Sequence, residues 1–150
     1  MKQTFRTLVL VMLVVVPAAT THGAEQTLSL FAGVTDDRGD NVFSLGLDYE
    51  YKFSEVFGIG DLLDYAGGDV RTAVVGVPIF AHPIGGLVVL LAPGVEIQDD
   101  GDNEALVRLG AGWEFELGER FVVAPVFNVD FVDGDKVYVY GVEFGYKLGG

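Results

Sequence analysis

Between Val42 and Phe53 the chain changes character at almost every residue. Phe43, Leu45, Leu47, Tyr49, Tyr51 and Phe53 fall on one side of an extended strand, and Val42, Ser44, Gly46, Asp48, Glu50 and Lys52 on the other. Only a β-strand has period two, so a helix would scatter these residues around its axis. The pattern returns where Val107, Leu109, Ala111, Trp113, Phe115 and Leu117 oppose Arg108, Gly110, Gly112, Glu114 and Glu116. It returns again where Tyr138, Tyr140, Val142, Phe144, Tyr146 and Leu148 oppose Gly141, Glu143, Gly145 and Lys147.

Extending this reading gives eight strands, over 27–35, 42–53, 56–65, 71–81, 86–98, 105–117, 121–132 and 137–148. The segments between them carry the Gly, Asn, Asp or Pro that a chain reversal needs. Val70 to Val95 is nearly all apolar and could compete as a helical hairpin, but Pro78, Pro83 and Pro93 argue against helices there. In the third strand, alternation from Phe57 and Ile59 would aim Asp61 outward, so a bulge near Gly58 or Gly60 is expected to turn it inward. An even number of antiparallel strands suits an all-β, eight-stranded, up-and-down transmembrane β-barrel.

Alternation alone does not say which face is inside. The polar face is rich in glycine (Gly46, Gly58, Gly60, Gly94, Gly110, Gly112, Gly141, Gly145), which suits the narrow interior of an eight-stranded barrel. The other face carries aromatics near strand ends. Gly46 to Phe53, Gly110 to Leu117 and Gly141 to Leu148 repeat one form, with aromatics two residues apart, all on even-numbered strands. Their aromatics should gather at one height, as an interfacial girdle does. The alternative is a soluble, lipocalin-like periplasmic carrier of apolar ligands, with the apolar face inside.

The N-terminus supports export. Lys2 and Arg6 precede an apolar run from Leu8 to Val16, Pro17 breaks it, and cleavage is expected after Gly23 or Ala24. Residues 1–24 then form a signal peptide and 25–150 the barrel. Cleavage removes two of the nine basic residues and none of the 22 acids from a chain whose net charge is already −13. Such a surface repels nucleic acid. Cysteine is absent, which excludes disulfides and thiolate chemistry. The turns after the second and sixth strands read as short and those after the first and fifth as longer and acidic, which orients the acidic loops outward.

On these features the mature chain resembles, along its whole length, the small eight-stranded outer-membrane barrels, including the membrane domain of outer-membrane protein A and its X-type relatives. The resemblance lies in pattern. It implies a cell outer-membrane location in a Gram-negative envelope. It implies outer-membrane lipid, lipopolysaccharide and the barrel-assembly machinery as partners, and a monomer as the expected state. The aromatic C-terminal assembly signal of those families is matched by Gly141, Phe144 and Tyr146, while the chain ends Leu148, Gly149, Gly150.

Candidate chemistry is sparse. Beyond the leader, His82 is the sole histidine; it sits in a Pro-containing turn, where a solvated structural role is expected, and no serine neighbours it. Without a base beside a nucleophile, an enzyme is not expected, nor a cofactor. Asp99, Asp100, Asp102 and Glu104 offer weak Ca²⁺ ligands, since hard oxygens suit that ion, but the twelve-residue loop with a closing bidentate Glu is missing. The inward face is expected to hold Asp48, Glu50, Lys52, Glu96, Arg108, Glu114, Glu116, Asp130, Glu143 and Lys147 as a paired ionic plug, with Glu96 directly opposite Arg108. The leading expectation is a non-enzymatic barrel with a structural or surface role. A small cation-preferring channel is the alternative.

Overall fold

The computed structural model describes residues 24–67, 71–99 and 103–149. The expected leader, apart from Ala24, and the turn residues Asp69, Asp100 and Asp102 lie outside these. Ten strand segments build eight barrel staves: β1 (Gln26–Asp37), β2 (Asp40–Lys52), β3 (Phe57–Ala66), β4 (Thr72–Gly76) with β5 (Ile79–Ala81), β6 (Leu87–Gln98), β7 (Glu104–Trp113) with β8 (Phe115–Leu117), β9 (Phe121–Val132) and β10 (Asp135–Gly149). Each stave pairs antiparallel with its chain neighbour, and β1 pairs with β10 from Leu28 opposite Tyr146 to Asp36 opposite Tyr138. That last pairing closes the barrel and removes its free edges. The helical alternative for the apolar stretch is overturned, because its described residues are strand and short connections.

Proline explains both interruptions. Pro78 lies between β4 and β5 and has no N–H to give the ladder, yet its carbonyl still accepts from Gly60 N at 3.0 Å. The β7/β8 gap at Glu114 lies beside Pro125 of β9. Register runs unbroken through that gap, since Gly112 faces Val126 and Phe115 faces Val123.

Two features correct the sequence reading. The expected bulge in the third strand is absent: Tyr49 faces Asp61, Asp48 faces Leu62 and Gly46 faces Asp64 without a slip. Asp61 therefore stays on the outer face, half-buried beside Tyr49, and Asp64 points inward and is buried. A bulge would have exchanged the two. The turns also fail to sort by length. The connection from β1 to β2 is the pair Arg38 and Gly39 (φ 55° and 90°), and that from β9 to β10 is Asp133 and Gly134 (φ 48° and 80°). Both central residues lie in the left-handed region, as in the tight two-residue hairpins that match strand twist. Alternation simply continues through the aspartates flanking Arg38, so the expected long first loop does not form. Below, the end where the described residues begin and end, at Ala24 and Gly149, is the terminal end, and the end carrying these two hairpins is the far end.

The faces settle the inside-outside question. Leu30, Leu45, Leu47, Val107 and Leu109 are exposed on the outer wall, whereas Ser44, Asp48, Glu50, Arg108, Asn128 and Asp130 are buried inside. An apolar outside with charges inside is the arrangement of a membrane barrel and overturns the soluble-carrier alternative. Exposed Phe53, Phe57, Trp113, Phe115, Phe121 and Tyr146 mark the terminal end, with the Phe121 and Tyr146 rings 5.2 Å apart. Phe43, Tyr65, Phe127, Phe131, Tyr138 and Tyr140 form a second belt toward the far end, where Phe127 packs 5.9 Å from Tyr138. The lumen wall is not uniformly polar. Leu62, Val74, Leu106 and Val132 form one buried apolar cluster, Phe80, Val88, Leu90 and Ala92 a second, and Phe31, Ala124, Val126 and Val139 a third. A polar column runs between them.

Candidate functional site in the barrel lumen

The column has two centres, set at different heights by the strand register. Toward the far end, Arg108 of β7 is 2% exposed. Its guanidinium donates to Asp130 of β9 through Nε at 2.6 Å and Nη2 at 2.8 Å, and through Nη1 to Asp64 of β3. Arg108 and Asp130 are register partners across adjacent staves, while Asp64 reaches over the lumen from the opposite wall. The planar fork suits this paired docking, which a lysine could not reproduce. Close approach depends on missing side chains. A Cβ at Gly46 would strike the Asp64 carboxylate, and one at Gly110 the Asn128 amide.

Arg108 is not opposite Glu96. In the β6–β7 ladder Ala92 faces Arg108 and Glu96 faces Glu104, four residues from the expected register. Alternation is blind to this error, because a shift by an even number leaves every side chain on its correct face. Glu96 instead accepts from Gln98 at 2.6 Å. Two oxygens beside the Arg108 centre, Asp48 Oδ1 and Asn128 Oδ1, have no protein partner. Asp48, Asn128 and Glu143 border a cavity of about 30 Å³, also lined by Thr27, Ser29, Glu50 and Glu114. That is room for about two waters.

The second centre lies toward the terminal end and contains the residue the sequence treated as solvated structure. His82 leaves the connection after β5 and folds inward, its side chain only 8% exposed. Nε2 lies 2.7 Å from Glu50 Oε1, and Nδ1 lies 3.7 Å from Glu114 Oε2. The correction has a physical cause. Pro83 and the Val56 carbonyl, which accepts from His82 N at 2.7 Å, hold the turn against the barrel mouth, so the ring can enter. Histidine in a turn gave no sign of this, because the acids that receive it come from β2 and from the β7/β8 gap.

Outside that centre, Lys52 Nζ donates to Glu25 Oε1 at 2.8 Å, and Lys147 Nζ to Glu116 Oε1 at 2.7 Å with Glu25 Oε2 3.9 Å away. Burial would raise the Glu25 carboxyl, but the Lys52 hydrogen bond and the Lys52 and Lys147 charges outweigh it and hold the group below its ordinary value. Glu116 is largely exposed and belongs to the rim. The expected single plug is thus a Arg108 centre, a His82 centre and a lysine mouth. Asp64, His82 and Glu25 are members that the sequence reading missed. Of the weak Ca²⁺ candidates, Asp99 lies 4.0 Å from Arg71, Glu104 faces Glu96, and Asp100 and Asp102 fall outside the described residues.

No protein-family model matches the chain, and no curated protein matches its sequence. Solved structures do match. The outer membrane protein OprG from Pseudomonas aeruginosa is similar with a TM-score of 0.63 and 15% identity, over 86% of this chain and 97% of that one. The N-terminal β-barrel domain of Pseudomonas aeruginosa OprF gives 0.61 and 13%, over 81% and 97%. Ail, the attachment invasion locus protein of Yersinia pestis, gives 0.56 and 16%, over 85% and 100%. At these identities the likeness is one of fold: the chain is a closed eight-stranded antiparallel barrel of the kind found in small outer-membrane proteins.

Proposed function

We propose that this protein is a non-enzymatic barrel of the cell outer membrane with a structural or surface-interaction role. Its terminal end faces the periplasm and its acidic far end faces outward. The observation that carries this reading is the Arg108 centre. A guanidinium fixed by Asp130 on one wall and Asp64 on the other bars the lumen toward the far end, and the neighbouring cavity has room for only about two waters. A conducting pore needs a continuous wet path, which such a bar interrupts. Catalysis finds no support, because both ring nitrogens of His82 face carboxylates and neither faces a hydroxyl.

The apolar outer wall between two aromatic belts supports lipid as the first partner. Structures of Ail exist in a phospholipid bilayer nanodisc and with the heparin analogue sucrose octasulfate. A polyanion would be repelled by the far end of the present chain, where Asp36, Asp37, Asp40, Asp99, Asp133 and Asp135 crowd the described hairpins. Contact with lipopolysaccharide phosphates would therefore run through bridging divalent cations, for which Asp99, Asp100, Asp102 and Glu104 are weak ligands. The test is fractionation with heat-modifiable gel mobility, followed by recording in a planar bilayer. Outer-membrane recovery without conductance is the expected result. Stable cation-selective steps would replace this reading with a channel, for which the partnerless Asp48 and Asn128 oxygens would be the natural ion contacts.

A further inference from the structure

We propose that Glu50, His82 and Glu114 form a binding site for one divalent transition-metal ion of the Zn²⁺ class, inside the terminal end of the barrel. One ligand atom from each residue lies within 4.8 Å of the others, and two of the three side chains are nearly buried. The set is chemically suited. Zn²⁺ takes imidazole nitrogen and carboxylate oxygen at about 2.0–2.2 Å, commonly as three protein ligands with a fourth position open to water. Tetrahedral ligands at that radius stand about 3.4 Å apart. One ion takes one ring nitrogen: Nε2 already stands 2.7 Å from Glu50, while Glu114 faces Nδ1 at 3.7 Å and has to swing toward the Nε2 side to complete the set. Glu114 has the furthest to move and is the most exposed of the three, at 27% of its side chain.

The nearby ammonium groups of Lys52 and Lys147 act on the triad by charge alone. A neutral imidazole has one N–H to offer, but a carboxylate faces each ring nitrogen, so one nitrogen lone pair meets a carboxylate oxygen. Lys52 is directed to Glu25 at 2.8 Å and Lys147 to Glu116 at 2.7 Å, so neither ammonium hydrogen-bonds the triad. A proton on His82, a proton on one of the two carboxyl groups, or a metal ion at one ring nitrogen can relieve that lone-pair contact. Two carboxylates and a neutral imidazole balance a divalent ion. The cavity that both glutamates line gives the fourth ligand, a water, somewhere to sit. Fold constraints place the set: Gly58 opposite β2 leaves space that the Glu50 carboxylate occupies, and Glu114 N donates to Gly86 O at 2.7 Å, anchoring the strand gap that presents its side chain.

The experiment uses the full barrel folded in detergent micelles, so that both ends are open, with heat-modifiable mobility as the folding check. Zn²⁺ is titrated calorimetrically, and Co²⁺ is added in its place as a spectroscopic probe. The expected result is one equivalent of Zn²⁺ bound in preference to Ca²⁺, intense visible Co²⁺ bands of tetrahedral type, and binding weakened by at least about 10–100-fold in Glu114→Gln and His82→Ala. Glu114→Gln is the decisive variant if His82→Ala misfolds, because its side chain is partly in solvent. A folded parent that binds no Zn²⁺ would overturn the site and leave His82 a proton bridge between two glutamates. So would binding that survives both substitutions, or binding abolished by converting Asp99, Asp100 and Asp102 to Asn.

Discussion

Removing the charge from Arg108 should be among the most damaging single changes available to this barrel. Arg108→Met deletes three charge-assisted hydrogen bonds and leaves Asp64 and Asp130 buried with no cation. Breaking a buried ion pair by removing one partner costs about 3–5 kcal/mol, which is about two to three and a half orders of magnitude in the folding equilibrium. The orphaned carboxylates, more than the lost bonds, carry that cost. Adding Asp130→Asn and Asp64→Asn to Arg108→Met should therefore recover much of it, because the penalised charges are gone. Adding Glu96→Gln should recover little, since Glu96 faces Glu104 and bonds Gln98. Urea titration in lipid vesicles, followed by the fluorescence of Trp113 and by gel mobility, measures each step. A loss below about 1 kcal/mol for Arg108→Met would mean that the two carboxylates are hydrated or neutral without it. Better rescue by Glu96→Gln than by the Asp64 and Asp130 changes would refute the observed register.

Asp61→Leu should stabilise the folded barrel in lipid by about 1–2 kcal/mol, since an acid on the outer wall pays part of the penalty for lipid-facing charge; a lower urea midpoint would contradict its outward placement. Leu47→Arg should cost about 2–4 kcal/mol at the bilayer midplane. Gly46→Ser should not be harmless either, because its Cβ meets an Asp64 carboxylate held by Arg108; about 1–3 kcal/mol of overpacking is expected by the same titration. For Glu25 the folded carboxyl titrates below its ordinary value of 4.5, so its contribution is present above that pH and is lost as pH falls below it. Glu25→Gln should flatten the acid side of the stability curve, and an unchanged slope would remove the Lys52 and Lys147 pairing as its cause.

The strands and their faces were legible because alternation is a local property. Residues 42–53 display their inside and outside without reference to any neighbour, and Val107 to Leu117 repeat the message. Register is not local. The shift that carries Ala92, and not Glu96, opposite Arg108 preserves parity, so no reading of β6 and β7 alone could detect it. Asp61 misled for a related reason. The cost of a lipid-facing acid argued for a bulge, but the bulge would have turned Asp64 away from Arg108, a contact 44 residues distant in sequence. Packing of the ion centre outweighed the local penalty. His82 was illegible for the same cause: its carboxylates lie on β2 and at the β7/β8 gap, and nothing near Pro83 announces them.

The central claim is that polar residues face a closed lumen and apolar residues face lipid. Because the chain has no cysteine, single cysteines can be introduced and spin-labelled one at a time along β2 and β7, at 42–45, 47, 106, 107 and 109. Collision with dissolved oxygen, which partitions into lipid, is then read for each folded variant in vesicles. High oxygen access at Phe43, Leu45, Leu47, Val107 and Leu109, with low access at Val42, Ser44 and Leu106, is the predicted two-residue period. The opposite phase, or no period at all, would contradict the barrel as described.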